Sequence, residues 1–212
     1  MRTSLNLKTF ETTEIIEVPN SAVNHSSSFV TKNTEYIVAG TRLSIQIPQR
    51  NMPIERYKGN FKGALSSINV APETGNMDIK FQILIHDFNY DLSHPGHGKS
   101  YGWFFFTTYN TEEANTLLKV NASQDDKDFI ATINWKKIEA YVNNGGVTMT
   151  PANYGQNVYD NDTHTATSIM KKEVLVVNPS EVLGALYFLP VLKLPHCGDI
   201  DPTREYIVGN GN

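Results

Sequence analysis

The chain has 212 residues, 40% hydrophobic and 19% charged, with a formal net charge of −4 and one cysteine. At 23.7 kDa it is long enough to bury one sizeable core, so it reads as a single domain over residues 1–212 and not as a disordered segment. The acidic balance offers no basic stripe for phosphates, which speaks against nucleic acid, and lone Cys197 excludes an internal disulfide and a cysteine-built metal cluster.

Met1-Arg-Thr-Ser-Leu-Asn-Leu lacks the apolar region of a signal peptide, and no window approaches the ~18 consecutive apolar residues of a membrane span. The expected setting is the cytoplasm or an assembled particle. The sequons at Asn24, Asn121 and Asn161 then read as chance. Residues 1–12 read as an N-terminal arm, followed by the β-rich run Glu14-Ile-Ile-Glu-Val18. Pro19 to Ser28 reads as a polar loop and Tyr36-Ile-Val-Ala39 as a short strand. In Arg42 to Pro48, Leu43, Ile45 and Ile47 share one face, the pattern of an antiparallel strand with one wet side. Gln49 to Gly63 interleaves Arg50, Arg56, Lys58 and Lys62 with Tyr57 and Phe61. It reads as a solvated loop, with a stacking site for a sugar or nucleotide as the functional alternative. Ala64 to Val70 reads as a strand and Pro72 to Asn76 as a turn.

The stretch from Met77 to Tyr109 carries the strongest pattern. Met77, Ile79, Phe81, Ile83 and Ile85 alternate, and Tyr101-Gly-Trp-Phe-Phe-Phe-Thr-Thr-Tyr109 is aromatic on both phases. The two are expected to be core strands joined by a long polar loop, Asp87 to Ser100. Trp103 and Phe105 face one side and Phe104 and Phe106 the other, so the second strand is either covered twice or presents one face to a partner. Asn110-Thr-Glu-Glu113 resembles a capping box opening a short helix. Phe129 to Trp135 alternates, after which the phase slips. A bulge near Lys136-Lys137 leading to a hairpin at Asn143-Asn-Gly-Gly146 is the favoured reading, and a helix over 134–142 competes with it. Pro151 to Thr167 reads as a polar loop and Ile169 to Val177 as a strand. Asn178-Pro-Ser-Glu181 reads as a helix start, with Val182, Leu183, Leu186 and Leu189 facing the core until Pro190. Residues 196–212 read as a C-terminal arm.

For chemistry, the central loop offers His86, Asp91, His94 and His97 as nitrogen and oxygen ligands for a divalent metal, although no family spacing is matched. Gly98-Lys-Ser100 fails as a phosphate loop: Ser93 stands where the first glycine is required, and a strand follows in place of a helix. Asp160-Asn-Asp162 lacks the glycine and distal glutamate of a calcium loop. Cys197 beside His196 reads as a plain thiol. Tyr57, Phe61, Trp103 and Trp135 are the rings able to stack on a sugar.

These observations converge on a mainly β chain: a single-domain antiparallel β-sandwich, jelly-roll-like or related, with one or two short helices. The expected function is that of a non-enzymatic structural or assembly protein, a homo-oligomer without a cofactor, belonging to a particle, appendage or inclusion. A carbohydrate-binding module and a metal-dependent enzyme built on the central histidines are the alternatives.

Overall fold

A computed structural model of the chain describes residues 2–16, 18, 26–28, 36–40, 63–85, 89–109, 128–160, 165–191, 197–203 and 205–210. Within them the fold is predominantly β. The strands are β1 (Arg2–Leu5), β2 (Thr12–Ile16), β3 (Ser26–Ser28), β4 (Tyr36–Gly40), β5 (Gly63–Val70), β6 (Met77–Ile85), β7 (Asn89–Pro95), β8 (Trp103–Tyr109) and β9 (Phe129–Asn134). After helix α1 (Trp135–Asn143) come β10 (Met149–Asp160), β11 (Thr165–Val177), β12 (Leu186–Pro190), β13 (Cys197–Ile200) and β14 (Ile207–Asn210). No helix among the described residues is long and apolar enough to cross a membrane.

An eight-stranded sheet runs β1-β2-β10-β11-β6-β5-β4-β3, a four-stranded sheet runs β12-β9-β8-β7, and β13 and β14 form a separate hairpin. Pairing is antiparallel except between β11 and β6, where Leu175, Val176 and Val177 lie parallel to Phe81, Gln82 and Ile83. The central core draws on both larger sheets: Leu65, Phe81, Ile83 and Val177 from one, Phe104, Phe106, Ala131 and Ile133 from the other. A bulge between Ser67 and Ile68 shifts the phase of β5, so Leu65 and Ile68, three residues apart, pair with core residues Ile83 and Ile79. On the other phase, Gln82 donates to Ser66 Oγ at 2.8 Å, which satisfies two buried polar side chains.

The two apolar stretches flanking the central loop are both core strands, in different sheets. The segment between them is not only loop: Asn89–Pro95 forms β7 and pairs with β8. Pro95 is tolerated because β7 is the last strand of its sheet among the described residues. The phase slip after Trp135 is a helix, not a bulge and hairpin. The Asn134 side chain accepts from Lys137 N–H at 3.1 Å, and Gly102 O accepts from Trp135 N–H and Lys136 N–H at 2.8 and 3.3 Å. The orphan donors of the first turn are thereby satisfied, while Trp135, Ile138 and Val142 fall on one buried face. Gly102 has φ +92°, and a Cβ there would lie 2.7 Å from Lys136 Cγ, so a side chain at this joint would disturb the strand–helix junction.

Three further expectations are corrected. Pro151 to Thr167 is mostly strand, because β10 and β11 form a long hairpin closing at Asp160–Thr165; Pro151 falls in a register shift between Met149 and Ala152, where its missing N–H breaks no ladder. Ser26–Ser28 is a strand at the edge of the large sheet. Asn178 caps as expected, accepting from Ser180 N–H at 3.1 Å, but the helix is a single 3-10 turn over Pro179–Glu181. The chain then joins the sheet as β12, whose five register pairs with β9 win over helical spacing. The expected strand Arg42–Pro48 and helix start Asn110–Glu113 lie outside the described residues.

The corrected path gives opposite expectations for two large apolar residues. Phe104 is fully buried, with ring centroids 5.4 Å from Trp135 and 5.8 Å from Phe106, whereas Leu183 is 94% exposed. In urea denaturation, Phe104→Ala is expected to destabilise by about 3–5 kcal/mol and Leu183→Ala by less than about 0.5 kcal/mol. A large loss at Leu183 would restore the helical path.

Candidate functional site

The four-stranded sheet has two faces of different character. Phe104 and Phe106 point inward opposite Ile133 and Ala131, as do Leu186 and Phe188 of β12. The opposite phase places Trp103 and Phe105 of β8, Ile130 and Thr132 of β9, and Tyr187 and Leu189 of β12 on the outer face. The β13–β14 hairpin folds back over this face. β13 lies alongside β7 and β8, and a Cβ on Gly209 would lie 3.2 Å from Ile130 Cδ1. Within the expected C-terminal arm, Cys197–Ile200 and Ile207–Asn210 thus pair as a two-stranded roof.

Between roof and sheet runs an open groove of about 500 Å³. Its floor holds Phe105 and Thr132, its walls Trp103, Tyr187 and Leu189, and its roof Ile200, Tyr206 and Ile207. The Trp103 and Tyr187 rings lie 6.0 Å apart at 36°, forming a bent aromatic platform. Polar groups are few. Lys99 and Glu205 form an ion pair, Ser100 stands beside them, and Thr132 is only 8% exposed with no hydrogen-bond partner for its hydroxyl among the described residues. The 3-10 turn Gly98–Ser100 is tied down locally: Ser100 Oγ donates to His97 O at 3.0 Å, and Gly96 N–H donates to Trp103 O at 2.8 Å. Gly96 approaches Ser100 so closely that a Cβ would fall 1.9 Å from Ser100 O. The sequence rejected as a phosphate loop serves here to hold Lys99 and Ser100 against the start of β8.

Asp201 fastens the roof. Its carboxylate accepts from Thr203 Oγ1 at 2.5 Å, from Thr203 N–H and Tyr206 N–H at 2.8 Å, and from Glu205 N–H at 3.1 Å. The Thr203 hydroxyl, opposed by desolvation and helped by those backbone donors, holds its pKa at about 2 against an ordinary 3.8.

A second surface lies on the N-terminal hairpin. Its turn is built by Asn6: Phe10 N–H donates to Asn6 O at 2.7 Å, Asn6 N–H to Glu11 O at 2.9 Å, and Lys8 N–H to Asn6 Oδ1 at 2.9 Å. Leu7 and Phe10 are 78% and 76% exposed. Phe10 has φ +60°, a region that disfavours side chains. At its base the hairpin is anchored, since buried Glu14 accepts from Met77 N–H and Ile16 is fully buried.

Of the rings expected to stack on a ligand, Trp103 stands in the groove. Trp135 is 1% exposed, wedged between Phe81 and Phe104, and belongs to the core; Tyr57 and Phe61 lie outside the described residues. Of the candidate metal ligands, His94 is half-buried in β7 opposite Phe105, and His97 precedes the 3-10 turn. Asp91 belongs to β7, its side chain outside the description, and His86 lies outside the described residues altogether. Among the described residues no three His, Cys, Asp or Glu side chains are grouped as metal ligands. Sequence reading missed Thr132, Tyr187 and Tyr206, which reach the groove from three separate segments. The usable signal was the apolar outer phase of β8, which implied a cover.

No protein-family model and no curated protein sequence matches the chain.

The roof's dependence on Asp201 is testable by pH. A carboxyl whose folded pKa is lowered stabilises the hairpin above its ordinary pKa, and the contribution is lost as pH falls from 3.8 through about 2. Carboxyl NMR titration should place the Asp201 midpoint near 2, and Asp201→Ala should speed amide exchange in Ile207–Asn210 while leaving β8 and β9 protected. A midpoint near the ordinary value contradicts the hydrogen-bonded turn.

Proposed function

We propose that the protein is a non-enzymatic structural protein that works by self-association. A second copy docks on the outer edge of the large sheet at β1 and on the adjoining Leu7–Phe10 turn. Such a subunit would serve in a particle, appendage or inclusion.

Phe10 carries this reading. A bulky residue in the left-handed region loses roughly 1–2 kcal/mol of backbone energy. Here the ring is also 76% exposed, so no burial within the chain offsets that loss. Strain of this kind persists where the surrounding structure imposes it, and it points to use. The Asn6 hydrogen bonds impose it, and Leu7 and the half-exposed Leu5 extend the apolar surface beside Phe10. Among the described strands the neighbouring β1 is outermost in its sheet, so its far side offers backbone donors and acceptors to another strand. Two copies related by a twofold axis would pair β1 with β1 antiparallel and cover both turns.

Size-exclusion chromatography with light scattering tests the proposal. The unaltered chain is expected to run as a dimer or larger species. Phe10→Asn is expected to run as a monomer with equal or higher Tm, because asparagine tolerates positive φ and removes the apolar ring. A monomeric parent at high concentration, or an Asn variant that associates as the parent does, rejects it.

A further inference from the structure

We propose that the groove beneath the β13–β14 hairpin is a saccharide site, which takes a neutral hexopyranose unit of a glycan against Trp103 and Tyr187 with one of its hydroxyls bonded to Thr132.

Size and lining admit a small molecule. Ligand clefts typically measure ~300–1,000 Å³, with mainly apolar walls and a few placed polar groups, and this groove of about 500 Å³ meets both conditions. The polar groups then narrow the class. Thr132 lines the groove at 8% exposure, and its Oγ1 is buried without a hydrogen-bond partner among the described residues. A buried hydroxyl left unbonded is unfavourable, and a purely aliphatic ligand would seal it in that state. A ligand able both to donate and to accept at this point relieves it. Lys99 and Glu205 at the rim neutralise one another, so a charged ligand gains no net attraction there, while both remain able to bond hydroxyl groups.

The platform selects among hydroxylated ligands. Trp103 and Tyr187 both line the open trough, their rings tilted at 36° with centroids 6.0 Å apart. A pyranose chair has one face of C–H groups that lies against such rings and a perimeter of hydroxyls that reaches polar groups beside them. Thr132 lies directly opposite Phe105 and Tyr187 in the ladders, so the hydroxyl and the rings share one side of the sheet. This site is separate from the β1 edge and stands or falls independently of self-association.

The test uses the full chain and four neutral disaccharides: cellobiose, maltose, lactose and N,N′-diacetylchitobiose. The chain has two tryptophans, and Trp135 is 1% exposed, so saturable changes in tryptophan emission report Trp103. At least one disaccharide is expected to bind. Thr132→Val, which keeps the shape and removes the hydroxyl, should weaken binding about tenfold or more and leave the fold intact or more stable. Tyr187→Ala, at a half-exposed position, should weaken it comparably, and Phe10→Asn should bind as the parent does. Failure of all four sugars to bind, unchanged affinity in Thr132→Val, or tighter binding of decanoate than of any sugar overturns the proposal.

Discussion

The structure depends on one aromatic contact. Trp135 stands where β9 turns into α1, 5.1 Å from Phe81 of the large sheet and 5.4 Å from Phe104 of the small one, measured between ring centroids. It therefore joins both sheets and the helix at a single point. Large rings bury more apolar area than any other side chains, and such a junction resists relative sliding of the layers. Because it settles which phase of β8 and β9 faces inward, it also settles which residues are left outside. The groove is the outward consequence of the inward packing.

That relation explains how much was legible in the sequence. Hydrophobic patterning located β5, β6, β8 and β9, whose central residues are buried on both phases. It failed where the ladder carries the strand and the hydrophobic pattern does not. β10 contains Pro151, Asn153, Gly155 and Asn157, residues that signal turns in isolation, yet it pairs over most of its length with β11. The same failure made β12 look helical. Leu183, Leu186 and Leu189 have helical spacing, but Leu186 alone of the three enters the core, since five ladder pairs to β9 impose alternation. Local capping chemistry was read correctly at Asn178, while the continuation was decided by a strand some 50 residues earlier.

The candidate site was legible only in part, for a geometric reason. Trp103 announced itself by lying on the second apolar phase of β8. Thr132 did not, because an isolated threonine in a strand is unremarkable until its environment is known. Tyr206 and Glu205 come from a terminal segment that reads as an arm, and only the folded-back hairpin brings them over the sheet. Trp135 shows the converse: a tryptophan suited to ligand stacking by type is consumed by the core.

The roof itself carries one more implication. Among the described residues, β13 and β14 share four register pairs with each other and no ladder with either larger sheet. Lifting them as a unit would keep those pairs and break the Lys99–Glu205 ion pair and the side-chain contacts beneath. Sub-global openings of such a unit have a lower free energy than complete unfolding. Admission to the cavity can then be tuned by loop chemistry at the C-terminus without touching the residues that give the fold its strength.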